Sequence, residues 1–349
     1  MSVFMSIYVF LTSCGMQTDN KSMEQVGFFF DTVVTFTAYY KDFTSSDSSF
    51  FTRYSDAEKS CSEFLDECQK ACARYDLLFS TTKEGGDIWN INHSGGAQVE
   101  VDVDTYRLMQ KALYYAELSD GAFDPTIGTV TDLWNFHADT DKAVPDSSSL
   151  QEALSHVDYR KVILSEKNEK YYVQLSDKDS RIDLGGIAKG YIADKLKELY
   201  ISKGAKSGII NLGGNVLLIG SKPSENGTTT FYTTGVQRPF GDSNDPIVKL
   251  SLEDCSVVTS GIYDRFFEKD GQIYHHILNA KNGMPVENNI FSATIVSESS
   301  ADGDALSTIS YMLGTEKGME LINSIPDTYV LYVTDKYEIV SSENFPGIK

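Results

Sequence analysis

Positive charge, cysteine, tryptophan and long apolar runs are all scarce in this chain of 349 residues. Lysine and arginine number 30 against 50 aspartates and glutamates, a formal net charge of −20 with histidine neutral. Such a surface repels phosphate polymers, which disfavours nucleic acid or an anionic membrane face as a partner. A small chelated anion remains admissible, because a metal and backbone amides can receive it. Two tryptophans and five histidines leave few candidates for aromatic stacking or proton transfer. Neither a Walker loop nor a G-x-G-x-x-G fingerprint occurs, so the common nucleotide cradles are missing.

Of the five cysteines, Cys14 stands apart from Cys61, Cys68, Cys72 and Cys255. The three at 61, 68 and 72 are spaced by seven and four, which predicts one apolar helix face. Helix neighbours rarely meet disulfide geometry, and no Cys-x-x-Cys metal knuckle is present, so these thiols carry no evident chemistry. Cys14 follows an apolar stretch, 3–11, too short to span a bilayer but suited to the centre of a secretion signal. No Lys or Arg precedes that stretch. It ends in Leu11-Thr12-Ser13-Cys14-Gly15, similar to a lipobox, and a polar run follows. The expectation is a signal peptide over 1–13, lipid on Cys14, a tether over 14–27 and a globular unit over 28–349. Membrane contact is then by lipid anchor only, on the extracytoplasmic side.

What is present is an ordinary globular composition, 41% hydrophobic and 23% charged, enough for a sizeable core. Alternation predicts strands over 28–40, 98–102, 208–219, 231–236, 247–252, 265–269, 291–296 and 329–333, with a hairpin at 162–175. Helical periodicity marks 56–79, 105–118, 190–202, 301–313 and 316–323. Strands outnumber helices without alternating strictly with them, which predicts an α+β fold of mixed or antiparallel sheets with helices packed on them.

Four segments could carry chemistry. Asp183-Leu184-Gly185-Gly186-Ile187-Ala188-Lys189-Gly190 precedes a helix, where paired glycines and free amides suit a phosphate; Asn211-Leu212-Gly213-Gly214-Asn215 follows. Asp120-Gly121-Ala122-Phe123-Asp124-Pro125 cannot be regular and offers an aromatic ring and acids. Thr259-Ser260-Gly261-Ile262-Tyr263-Asp264-Arg265 comes before His275-His276-Ile277. Neighbouring histidines on a strand face opposite ways, so at most one of the pair is expected to reach a given site, which leaves a structural role open to the other. Finally, Asp304 and Thr308 lie one helical turn apart, on one face, and their oxygens suit a hard cation such as Mg²⁺. The competing reading has Asp302 as helix cap and Asp304 at the positive end of the helix dipole.

In this order the segments resemble the FAD:protein FMN transferase (ApbE) family, from about residue 28 to 313. The resemblance implies an ApbE-like fold related to the T-fold, with FAD as substrate, Mg²⁺ as cofactor, and an acceptor protein carrying a Ser/Thr flavinylation motif. It implies that Phe30, Trp89, Ala122, Phe123, Asp124, Asp183, Gly185, Lys189, Tyr191 and Ile277 line the FAD site. Ala188, through its carbonyl, Asp304, Ser307 and Thr308 correspond to metal ligands; His276 and Asp264 are the candidates to take the acceptor's proton. The family's Met-Gly-Thr stands here as Phe30-Asp31-Thr32. Its Asp-Pro-x-Thr-Gly stands as Asn279-Ala280-Lys281-Asn282-Gly283, an exchange that bears on acceptor positioning. FAD hydrolysis to FMN and AMP, or flavin binding without chemistry, are the alternatives.

Overall fold

The computed structural model describes residues 20–44, 50–136, 142–224, 227–241 and 245–348. Cys14 and the expected signal peptide lie outside them. The strand expected over 28–40 is a hairpin, β1 (Ser22–Phe29) and β2 (Thr32–Tyr39). Its two-residue turn, Phe30-Asp31, has φ of 55° and 56°, the conformation that follows the twist of the flanking strands. β1 pairs with β2 from Ser22 onward, so the expected tether over 14–27 ends inside the sheet. The stretch 208–219 likewise folds back at Gly213-Gly214 into β6 (Gly208–Leu212) and β7 (Asn215–Ile219).

These strands belong to an eight-stranded sheet of order β1-β2-β6-β7-β12-β15-β16-β17, completed by β12 (Ser256–Gly261), β15 (Ile290–Ser297), β16 (Tyr329–Thr334) and β17 (Ile339–Ser341). Every adjacent pair in it is antiparallel. One face is covered by α1 (Phe50–Leu78), α6 (Ala188–Ser202) and α7 (Ser300–Asn323). Cys61, Phe64, Leu65, Cys68 and Cys72 all point into that core, and burial pushes the Cys61 thiol up to about 12. The cysteines of α1 therefore act as small hydrophobes, as their spacing predicts. The opposite face carries Tyr39, Leu218, Val257, Val296, Leu331 and Val333 under a hairpin of β10 (Tyr232–Gln237) and β11 (Pro246–Leu252).

Smaller units flank this sandwich. β3 (Val99–Val101), β5 (Lys170–Leu175) and β4 (Val162–Lys167) form a sheet in that order, next to α2 (Asp87–Asn92) and α3 (Val103–Leu118). Hairpins β8 (Lys222–Pro223) with β9 (Thr229–Thr230) and β13 (Phe266–Lys269) with β14 (Gln272–His275) complete the strands. α4 (Gly128–Trp134) and α5 (Ser147–Ser155) close a third core around Trp134, whose Nε1–H donates to the Gly283 carbonyl at 2.7 Å. Gly314, at φ 78° and ψ 176°, breaks α7 between the two helices expected there. The α+β expectation holds.

Candidate active site

Two helix starts meet at the centre of the candidate site. Gly190 sits in the first turn of α6, and a Cβ on it would lie 2.2 Å from the Ser300 carbonyl oxygen and 2.7 Å from Asp304 Cβ. That closeness lets the Gly190 N–H donate to Asp304 Oδ2 at 2.8 Å. In return Asp194, on α6, accepts from Ser300 N at 2.8 Å, Ala301 N at 3.0 Å and Ser299 Oγ at 2.9 Å. Each helix thus supplies a carboxylate to the other's positive end. Burial pushes both carboxyls above the usual range, and the amide hydrogen bonds oppose that shift. Asp302 is not the cap: Ser299 accepts from the Asp302 N–H at 3.2 Å, while Asp302 binds Tyr115 Oη at 2.7 Å and Lys111.

Around Asp304 the donors are oxygens. Ser307 Oγ and Thr308 Oγ1 stand 2.9 and 3.4 Å from the Asp304 carbonyl oxygen, and Ser260 Oγ, from β12, reaches them at 2.8 and 3.0 Å. A Cβ on Gly186 would meet the Phe123 ring at 3.0 Å and Thr308 Oγ1 at 3.5 Å, so the glycine loop, the Phe123 loop and α7 converge. A buried carboxylate with two hydroxyls on the same helix turn is an oxygen-rich set of the kind a hard cation takes, and the Lys189 charge and the Asn215 side chain also act on Asp304. Ala188 opens α6 two residues before Gly190. The residues present therefore fit a bound Mg²⁺. Lys189 Nζ lies 3.3 Å from the Gly185 carbonyl, and its charge acts on Asp264, Asp304 and His276 together.

Other expected residues hold this framework. Asp183 Oδ1 accepts from Gly185 N at 2.8 Å and Oδ2 from Thr131 Oγ1 at 2.9 Å, which fixes the loop. Asn92 clamps the preceding residue through Ile182 N at 2.7 Å and Ile182 O at 2.9 Å. Asp124, next to Ala122 and Phe123, is buried and accepts from Thr126 N, Thr126 Oγ1 and Tyr159 N at 2.8, 2.6 and 3.0 Å. Its role is to brace the loop, and D124A is expected to destabilise the fold by about 2–4 kcal/mol, since buried amides lose their acceptor. Urea unfolding checks this; a loss under 1 kcal/mol would contradict the bracing role. The Tyr191 hydroxyl donates to Asp104 Oδ1 at 3.0 Å. Trp89 stacks on His93 with centroids 4.1 Å apart, and the Phe30 N–H is held by Asp76 Oδ1 at 3.0 Å. Tyr191 stands on α6 next to Gly190, whereas Trp89, on α2, and Phe30, in the β1–β2 turn, stand on elements that pack against α1.

The adjacent histidines separate cleanly. His275 is buried with both nitrogens engaged: Nε2 lies 3.1 Å from the Val286 carbonyl and Nδ1 accepts from Ile277 N at 3.3 Å. His276 is half-buried, with Nδ1 3.2 Å from the Arg265 carbonyl. A carbonyl only accepts, so Nδ1 carries the proton and Nε2 keeps its lone pair. Burial, reinforced by Arg265, pulls the His276 pKa down to about 3, leaving the ring neutral. Asp264 is reached by solvent, yet the walls around it remove enough water to push its carboxyl up to about 6 against Lys189 and Arg265. The following turn is closed by its own asparagine side chains. Asn279 Oδ1 accepts from Lys281 N at 2.8 Å and Asn282 Oδ1 from Met284 N at 3.0 Å. Elsewhere among the described residues, His156, Asp177 and Asp179 approach metal-site spacing. Lys161 Nζ already sits 2.8 Å from Asp177 there, in the place of a cation.

Comparison with known proteins bears on this geometry. The ApbE family model matches residues 30–332. The chain belongs to the ApbE family. It is 36% identical over 277 residues to a Treponema pallidum protein named FAD:protein FMN transferase, covering 77% of this chain and 76% of that one. A Klebsiella pneumoniae protein of the same name is 34% identical over 272 residues, 77% of this chain and 81% of its own. The solved structure of the ApbE protein from Thermotoga maritima superposes with a TM-score of 0.79 at 32% identity, over 93% of this chain and 98% of that one. The antiparallel sheet with helices described above is therefore the ApbE fold.

Proposed function

We propose that this chain transfers the FMN half of FAD to a Ser or Thr hydroxyl of an acceptor protein and releases AMP. The observation that carries the reading is the convergence of Asp304, Thr308, Gly186 and Phe123 beside the start of α6, in a chain whose relatives bear that activity in their names. Mg²⁺, when bound, would neutralise pyrophosphate charge and favour departure of AMP. Asp304, Thr308, Ser307 and the Ala188 carbonyl would hold it. The acceptor oxygen attacks the FMN phosphorus, the phosphoanhydride bond to AMP breaks, and the hydroxyl proton goes to the Asp264 carboxylate. Asp264 fits that step because its carboxyl, pushed up to about 6, is charged at neutral pH yet basic enough to take a proton, while neutral His276, its Nδ1–H held by the Arg265 carbonyl, can accept a hydrogen bond at Nε2. Lys189 and the Gly185-Gly186 backbone would receive the phosphates, which reconciles an acidic protein with an anionic substrate.

The test is incubation of the folded domain with FAD, Mg²⁺ and a candidate acceptor. A mass gain of one FMN on the acceptor supports transfer; FMN and AMP without an adduct indicate hydrolysis; intact FAD indicates binding only. Acidity gives a further expectation. kcat/KM should fall as pH drops through about 6, because Asp264 loses its charge there while His276 stays neutral to about 3. D264N should lack that limb, and an unchanged limb in D264N would assign it elsewhere. Attachment to the outer face of the cell membrane through lipid on Cys14 belongs to the same proposal; C14A should then leave the membrane fraction.

A further inference from the structure

Hydroxyl hydrogen bonds have direction, and each hydroxyl carries one proton. Ser307 Oγ is 2.9 Å from the Asp304 carbonyl, which only accepts, so the Ser307 proton goes there. Ser307 is then an acceptor toward Ser260 Oγ at 2.8 Å, and the Ser260 proton is committed to it. Ser260 in turn can only accept from Thr308 Oγ1 at 3.0 Å. The alternative acceptor for Thr308, the Asp304 carbonyl, is 3.4 Å away and already receives Ser307. The four groups form a one-way chain from Thr308 through Ser260 and Ser307 to the Asp304 carbonyl.

We propose that Ser260 is a positioning residue, which draws the Thr308 proton away and so turns the Thr308 lone pairs toward the cation. This rests on the reading of Asp304 and Thr308 as cation ligands. Ser260 is suited to the task because it lies on β12, between β7 and β15 in the main sheet, opposite Ala293 in register. A strand so held fixes an outer partner more firmly than a loop does, and a cation polarises the Thr308 hydroxyl and strengthens its donation.

The experiment titrates Mn²⁺, as a stand-in for Mg²⁺, into the enzyme with FAD present and counts free Mn²⁺ by electron paramagnetic resonance. S260A, and S260C with its poor sulfur acceptor, should weaken Mn²⁺ affinity about 10- to 100-fold. S260T should retain it, and the metal-free thermal midpoint of each variant should match the parent. In a T308A background S260A should cost nothing further. Wild-type affinity in S260A and S260C, losses that add to that of T308A, or an equal loss in S260T would overturn the proposal. Wild-type affinity in D304N and T308A would instead overturn the cation site itself.

Discussion

D304A is expected to lower FAD cleavage, measured as AMP release, by about 10³-fold or more. The loss of a ligand that anchors charge neutralisation is worth several kcal/mol, and about 1.4 kcal/mol is tenfold in rate. Alanine also takes the acceptor from the Gly190 N–H, so D304N is the sharper variant: its amide oxygen can keep that hydrogen bond while the charge goes. Stability should move the other way from activity. Burial raises the Asp304 pKa in the fold, so the folded state binds its proton more tightly than the unfolded chain, and charging it as pH rises above about 4 costs stability. At neutral pH without metal, D304N should therefore be at least as stable as the parent. Mg²⁺ with FAD should raise the parent's thermal midpoint and leave that of D304N unmoved. A D304N enzyme that releases AMP at the parent rate would remove Asp304 from the reaction.

The sequence made the local half of this site readable. Asp304 and Thr308 share a helix face because four residues make about a turn, and Gly185-Gly186 announced a close approach before α6. Of the histidine pair, the resemblance pointed to His276 for the site, and the bonds of His275 to Val286 and Ile277 give His275 the structural role that alternation left open for one of the two. The partners that fix these groups come from far along the chain. Ser260 reaches Thr308 across 48 positions, Thr131 reaches Asp183 across 52, and Asp194 reaches Ser300 across 106. Such pairings follow from strand register and helix packing, which local periodicity does not encode. β12 escaped notice for a similar reason: Val257 and Val258 are its only large apolar residues, too few to show alternation. The β1–β2 turn escaped because Phe30-Asp31 lacks the Asn-Gly or Gly signal usual at positive φ. The competing reading of Asp302 as a cap rested on position alone, whereas Ser299 takes that place and Asp302 turns to Lys111 and Tyr115.

G190A is expected to destabilise the protein by about 3 kcal/mol, at the upper end of overpacking costs, and to reduce AMP release to near background. The added methyl would lie 2.2 Å from the Ser300 carbonyl oxygen and 2.6 Å from its carbon, so the obstacle is backbone that cannot rotate aside. Relief requires the start of α6 to move off α7. That motion lengthens the Gly190–Asp304 bond and draws Asp194 from the Ser300 and Ala301 amides, uncapping both helices at once. G185A is the control on the same loop: Gly185 is exposed, and a Cβ there would meet only Asp183 Oδ1, at 3.1 Å. It should cost under about 1 kcal/mol, as an exposed substitution without backbone conflict does. Urea unfolding of the pair measures the difference. Equal stability of G190A and G185A would mean that α6 and α7 can separate freely, and the cross-capping of the two helices would then not be what holds Asp304 in place.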